Sequence, residues 1–193
     1  IQQLLETLNF WCQKHQTTAE IIVNDWAMAD LLTDFPQLRP ILGVLINKRR
    51  KDPRLSYKKG DLSDLSENSI NADFYRNFLS KTCRITRYEW ESCGYLPELP
   101  EGKHSLHLPF YQTNTSQYCP LYARCKRGSR GAQTLPKDCP HWCSEYAFLY
   151  PTHLHMIGRY NSLFALDTGI LRSPELLDKW LKEGVDRLVV NLL

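Results

Sequence analysis

Hydrophobic residues in this chain change period repeatedly, and the changes mark out alternating helices and strands. Over residues 2–15, Leu4, Leu5, Leu8, Trp11 and Cys12 recur at helical spacing and predict an amphipathic helix that ends before Thr17 and Thr18. Residues 20–24, EIIVN, are a short apolar run and predict a buried strand. Asp25 then reads as the N-cap of a helix over 26–33 carrying Met28, Leu31 and Leu32. A second apolar run, ILGVLI at 41–46, predicts another strand buried on both faces. Strand, helix, strand at this spacing is a parallel βαβ unit.

A basic stretch, NKRRKDPR at 47–54, and a polar surface excursion at 56–69 follow. A helix is predicted from about Asn71 with Phe74, Phe78 and Leu79, then a strand over 84–91. A further strand is predicted over 104–112, interrupted by Pro109. Segments 146–150, 154–157 and 162–166 read as short strands of a hairpin or meander. Ser173, Pro174 and Glu175 signal a helix start, Leu176, Leu177, Trp180 and Leu181 its buried stripe, and Gly184 its end. Residues 185–191 are the last strand. Strands and helices thus alternate four or five times, which predicts an α/β fold with parallel strands, either a doubly wound sheet or a (β/α) barrel. A complete eight-unit barrel takes roughly 250 residues. This chain of 193 opens on a helix without an initiator Met and stops after a strand with no covering helix. The expectation is a single domain over 1–193, a partial TIM-like barrel with a cysteine-rich insertion.

Composition changes this picture little. A hydrophobic content of 42% suits a globular domain, and a net charge of +3 is too small to mark a nucleic-acid binder. No apolar run is long enough to span a bilayer, the N-terminus lacks signal-peptide features, and seven is an odd number of cysteines. A reduced, cytoplasmic setting is expected.

The cysteines change it more. Cys119, Cys125, Cys139 and Cys143 lie in the segment 118–143, among Gly, Pro, Lys, Arg and Asp with few core-forming residues. Thiolates suit both zinc and iron–sulfur clusters, and a metal centre is the leading candidate for what organises the segment. Cys12, Cys83 and Cys93 read as core or loop residues. Other candidates flank predicted strand ends, where α/β folds place their chemistry. Lys48, Arg49 and Arg50, with Lys51 and Arg54, form either a solvated loop or a site for an anionic substrate or an RNA backbone. Asp25, beside Asn24, and Glu89 are the catalytic candidates, with Glu91 on the same strand face as Glu89. Lys126, Arg127 and Arg130 add positive charge near the cysteines, and His141, His153 and His155 lie close by in sequence. No nucleophile elbow, zinc-protease helix, P-loop or dinucleotide fingerprint occurs.

The order IIVNDWAMADLL, ITRYEWE, YCPLYARC, CPHWC and NSLFALDTGILRSPELLDKWLKEGVDRLVVN resembles the U32 peptidase-like family over most of residues 20–191. That family includes collagenase-type peptidases and proteins of oxygen-independent ubiquinone and tRNA hydroxylation. The resemblance implies a TIM-barrel-like fold and, from the hydroxylation members, a 4Fe–4S cluster on Cys119, Cys125, Cys139 and Cys143. It favours iron–sulfur over zinc. In one family pattern a trio like Cys125, Cys139 and Cys143 is completed by a thiol far upstream, which makes Cys12 or a residue before Ile1 an alternative to Cys119. The family's acidic-Gly-Arg ending of the last strand is absent, since the chain reads VVNLL. Three functions are compatible: support of an oxygen-independent hydroxylation or related modification, a collagenase-like peptidase, and a non-catalytic partner of a second barrel protein with a structural metal. The substrate class, whether small molecule, peptide or RNA, stays open.

Overall fold

The computed structural model describes residues 1–54, 68–129, 131 and 135–192. Arg130, and the expected polar excursion up to residue 67, lie outside the described residues. The chain is mixed α/β. Its first strands, β1 (Ala19–Val23), β2 (Leu38–Leu42), β3 (Arg87–Glu91) and β4 (Lys103–Leu108), join β9 (Val185–Val190) in a five-stranded parallel sheet of order β1-β2-β3-β4-β9. A separate antiparallel sheet takes β5 (Phe110–Thr115), β6 (Phe148–Leu149), β7 (Met156–Arg159) and β8 (Ser162–Leu166) in the order β5-β8-β7-β6.

Helices α1 (Gln2–Lys14), α2 (Trp26–Leu31), α3 (Asp73–Asn77), α5 (Thr168–Arg172) and α6 (Pro174–Lys182) accompany the parallel strands, and α4 (Pro120–Arg127) belongs to the cysteine segment. Leu5 and Cys12 of α1, Ala29 of α2, Ile170 of α5 and Trp180 of α6 meet Val23, Leu42, Tyr88, Trp90 and Leu106 of the strands in one core. Alternation sends these strand residues to the helix-covered face. The other face is polar. There Arg87 donates to Asp186 at 2.6 and 2.9 Å and to Ser105 Oγ at 3.3 Å. Glu20 of β1 pairs with Arg87 at 3.3 Å and with Arg187 of β9 at 2.5 Å. In a flat sheet, four steps of about 4.8 Å would set β1 and β9 roughly 19 Å apart. That exceeds what a Glu and an Arg side chain span together, so the sheet curls with this polar face on the inside.

Two expected strands end differently. The run at 41–46 stops as a strand at Leu42, because Gly43 lets the chain fold tightly against β1. A Cβ there would lie 2.1 Å from Asn24 Oδ1 and 2.6 Å from the Val23 carbonyl. Gly43 N–H donates to that carbonyl at 2.8 Å, and residues 43–47 form a helical turn closed by Asn47 N–H on Gly43 O at 3.0 Å. The expected strand at 104–112 divides at Pro109 into β4 of the parallel sheet and β5 of the antiparallel one. Proline has no N–H to continue the ladder, and the Leu108–Pro109 peptide is cis.

Candidate functional site

Two regions carry the candidate residues. The first lies at the carboxyl ends of the parallel strands. Asn24 Oδ1 accepts from Leu45 N–H at 3.1 Å and holds the 43–47 turn. The turn delivers Asn47, 3% exposed, whose Nδ2 donates to the Glu89 carbonyl at 2.8 Å. Glu89, 1% exposed, directs one carboxylate oxygen to His107 Nε2, while its Oε1 has no hydrogen-bond partner among the described residues. Glu91 is also buried. Its carboxylate receives Lys51 Nζ and, at 2.7 Å, Gln112 N–H, so it ties the basic loop to β5. Arg49 donates to the Glu91 carbonyl and lies over Trp90 and Tyr95, 5.7 and 5.3 Å from their ring centroids.

The five cations expected here as one group have separate surroundings. Arg49 and Lys51 turn inward, Arg54 pairs with Asp52 at 2.7 Å, and Lys48 and Arg50 remain exposed. Behind them Tyr95 OH donates to Arg50 O at 2.6 Å, and burial, then the nearby Cys93, pushes the Tyr95 hydroxyl up to about 12. Burial also raises the Cys93 thiol, which packs with Tyr111 and Ala165. Cys93 is thus an inert core thiol rather than a nucleophile. Asp25, the other catalytic candidate, accepts from Met28 N–H at 2.8 Å and caps α2. His107 and Asn47 were not candidates from sequence. The legible signal was alternation in HSLHL, which puts Ser105 and His107 on the polar face beside Glu89 and Glu91.

The second region is the cysteine segment, inserted between β5 and β6. Pro120 at the first helical position and Gly128 in the left-handed conformation (φ 72°) delimit α4. Cys119 is its N-cap: the thiol accepts from Tyr122 N–H at 3.3 Å and donates to Tyr160 O at 3.7 Å. Cys125 is six residues on, about 120° away around the helix from Cys119, and exposed. Cys139 is exposed, and Cys143 is half-buried in the 3₁₀ turn Trp142–Ser144. Tyr122 and Trp142, with ring centroids 6.1 Å apart, bring that turn against α4.

All seven cysteines are free. Cys12, Cys83 and Cys93 are buried, as expected of core residues, whereas none of the four in the segment is. As a donor set, four unpaired thiols within 25 residues fit a zinc or iron–sulfur centre. Their positions do not form a ready cage. Among the described residues no three Cys, His, Asp or Glu side chains stand together to hold a metal ion. Among the same residues no helix is long and apolar enough to cross a membrane. Neither family models, nor curated proteins, nor solved structures give a match to this chain.

Proposed function

We propose that this chain is a U32-like iron–sulfur protein that supports an oxygen-independent hydroxylation or a related modification. In this reading the parallel sheet is an arc of a (β/α) barrel, and the cysteine segment holds a 4Fe–4S cluster beside it. The observation that carries the reading is the partition of the cysteines. Three are spent on the core, and four lie outside it, confined to one insertion. Burial normally claims a cysteine with no other role. The curled sheet with a charged inner face supports the barrel part.

Cys125, Cys139 and Cys143 are the first ligands in this reading, because none serves as a cap or a core residue. Cys119 is the fourth candidate, although its thiol already caps α4. Cys12 is fully buried in the main core among Leu5 and its neighbours, which weighs against the upstream alternative. When bound, a cluster would supply electron transfer. The chain's own residues would draw the segment together around it, so that metal binding and ordering of 119–143 are one equilibrium. Lys126 and Arg127 at the end of α4 would offset thiolate charge. Residues at the strand ends would hold substrate.

The test is anaerobic purification of the protein, followed by absorbance and elemental analysis. Brown protein with about four irons per chain is expected for a cluster of this type. A colourless protein with stoichiometric zinc, or with no metal, overturns the proposal. Zinc would point to the structural role, for which Cys139 and Cys143 have the spacing of a ligand pair.

A further inference from the structure

The cleft between the basic loop and β5 is a built pocket of about 400 Å³, within the range of small-molecule sites, roughly 300–1,000 Å³. It opens beside the carboxyl ends of β2 and β3, where parallel α/β sheets bind their ligands. One wall carries Asn47, Lys48, Arg49 and Lys51, and the other the polar side of β5 from Gln112 to Thr115. Val44 and Leu45 add an apolar patch, and among the described residues no carboxylate lines the cleft.

The charges do not cancel. Glu91, behind the wall, is matched by Lys51. Lys48 and Arg49 form no ion pair with any described residue. Arg49 is half-buried between two aromatic rings, and its Nη1 has no hydrogen-bond partner among the described residues. A guanidinium withdrawn from water without a counter-ion is costly, and an anion would remove that cost. Asn47 adds the complementary requirement. Because Nδ2 donates to the Glu89 carbonyl, the opposite atom, Oδ1, is the acceptor, and it is buried and has no partner among the described residues. The wall therefore holds one strong donor and one acceptor, both buried and both without a partner among the described residues.

We propose that this cleft binds a small oxyanion-bearing molecule, a carboxylate or a phosphate, that also carries a hydroxyl. The oxyanion meets Arg49 Nη1 and Lys48, and the hydroxyl donates to Asn47 Oδ1. Asn114, exposed on the facing strand, closes the far side. Two walls and a volume of this size suit a compact molecule better than a polynucleotide backbone. No described residue of 118–143 lines the cleft, so this inference and the cluster reading succeed or fail separately.

The test titrates the full chain, as purified, with malate, glycerol 3-phosphate, acetate, inorganic phosphate and glycerol, followed by amide chemical shifts. Malate or glycerol 3-phosphate should give saturable shifts at Asn47, Arg49 and Asn114, and whichever binds tighter tells carboxylate from phosphate. Acetate, phosphate and glycerol, each lacking half of the pattern, should bind at least about tenfold more weakly. Lys48→Gln touches no packed residue and should weaken binding several-fold and reduce its salt dependence. Arg49→Lys keeps the charge but loses Nη1, and should weaken it further. The proposal is overturned if no probe saturates below about 10 mM. It is also overturned if both variants bind like the parent, or if only a single-stranded RNA binds, with a steep salt dependence.

Discussion

The strand-end region and the cysteine segment carry similar numbers of chemically capable side chains but are held in opposite ways. At the strand ends, each functional group is fixed by a partner distant in sequence: Asn47 by Glu89, Lys51 by Glu91, Glu89 by His107. These groups are buried or half-buried, and a low local dielectric strengthens each pairing while raising the cost of breaking it. In the cysteine segment the contacts are mainly local. Cys119 caps its own helix, Ser144 Oγ donates to His141 O at 2.8 Å, and Cys125 and Cys139 face solvent. The first region is organised by the same burial that forms the sheet. The second has spare donors and little burial, the arrangement expected where a ligand supplies the organising energy.

Substitutions can break or sharpen this contrast. The largest effect is expected from Glu91→Ala, which strands the half-buried Lys51 ammonium and the Gln112 N–H. A loss of about 3–5 kcal/mol of unfolding free energy is predicted, read from the urea midpoint. A loss below about 1 kcal/mol would mean that the strand-end network is not structural.

Next comes an acid dependence seated in the sheet. Trp90 Nε1, which can only donate, donates to His104 Nδ1 at 3.0 Å, so Nε2 carries the proton and donates to Pro100 O at 2.9 Å. Burial holds the His104 imidazolium below the usual histidine range, and Arg87 adds to this against the opposing pull of the Pro100 carbonyl and Asp186. Because the folded-state pKa lies below the unfolded value of about 6.5, the unfolded chain binds the extra proton first. This contribution to stability is complete above about pH 6.5 and is lost as pH falls toward the folded-state value. Denaturant midpoints measured between about pH 7 and pH 5 should decline, and His104→Gln should flatten that decline. An unchanged slope in the variant would place the titration elsewhere.

Smaller effects are expected in the cysteine segment without metal. Cys125→Ala and Cys139→Ala should shift unfolding of the metal-free chain by no more than about 0.5 kcal/mol, as for surface positions. In anaerobic protein each should abolish bound iron. Loss of stability without metal would show that these thiols are packed after all. The smallest structural effect is expected from Cys119→Ser, since serine is a strong N-cap. If its iron content equals the parent's, Cys119 is a cap and not the fourth ligand. If iron is lost while α4 persists by circular dichroism, it is a ligand.

Much of the parallel sheet was legible because its signals are local. The apolar run near residue 21, Asp25 as a cap, and Ser173-Pro174 each specify backbone states within a few residues. The antiparallel sheet was legible only as short strands. That β5 pairs with β8, placing Tyr111 opposite Ala165, depends on closure across some fifty residues that no local pattern encodes. The end of β2 was misplaced for a related reason. ILGVLI is apolar throughout, and its turn exists because the backbone at Gly43 must clear Asn24, just past the end of β1. The candidate site divides likewise. Glu89 and Arg49 were legible as charges near strand ends, but their roles came from His107, Trp90 and Tyr95 on other segments.

By itself the sequence determined most element types, the α/β class with parallel strands and the grouping of four cysteines in a segment too polar to form a core. These follow from periodicity, capping and composition, which act over one or two turns of chain. Tertiary structure decided which charges are spent on each other and which are left without an ion-pair partner among the described residues. Arg49 and Lys51 are two residues apart and alike in charge, yet Lys51 is neutralised by Glu91 and Arg49 by no described side chain. That difference arises only when β3 is laid beside the basic loop, because electrostatic pairing depends on distance through space and on the water excluded between the partners.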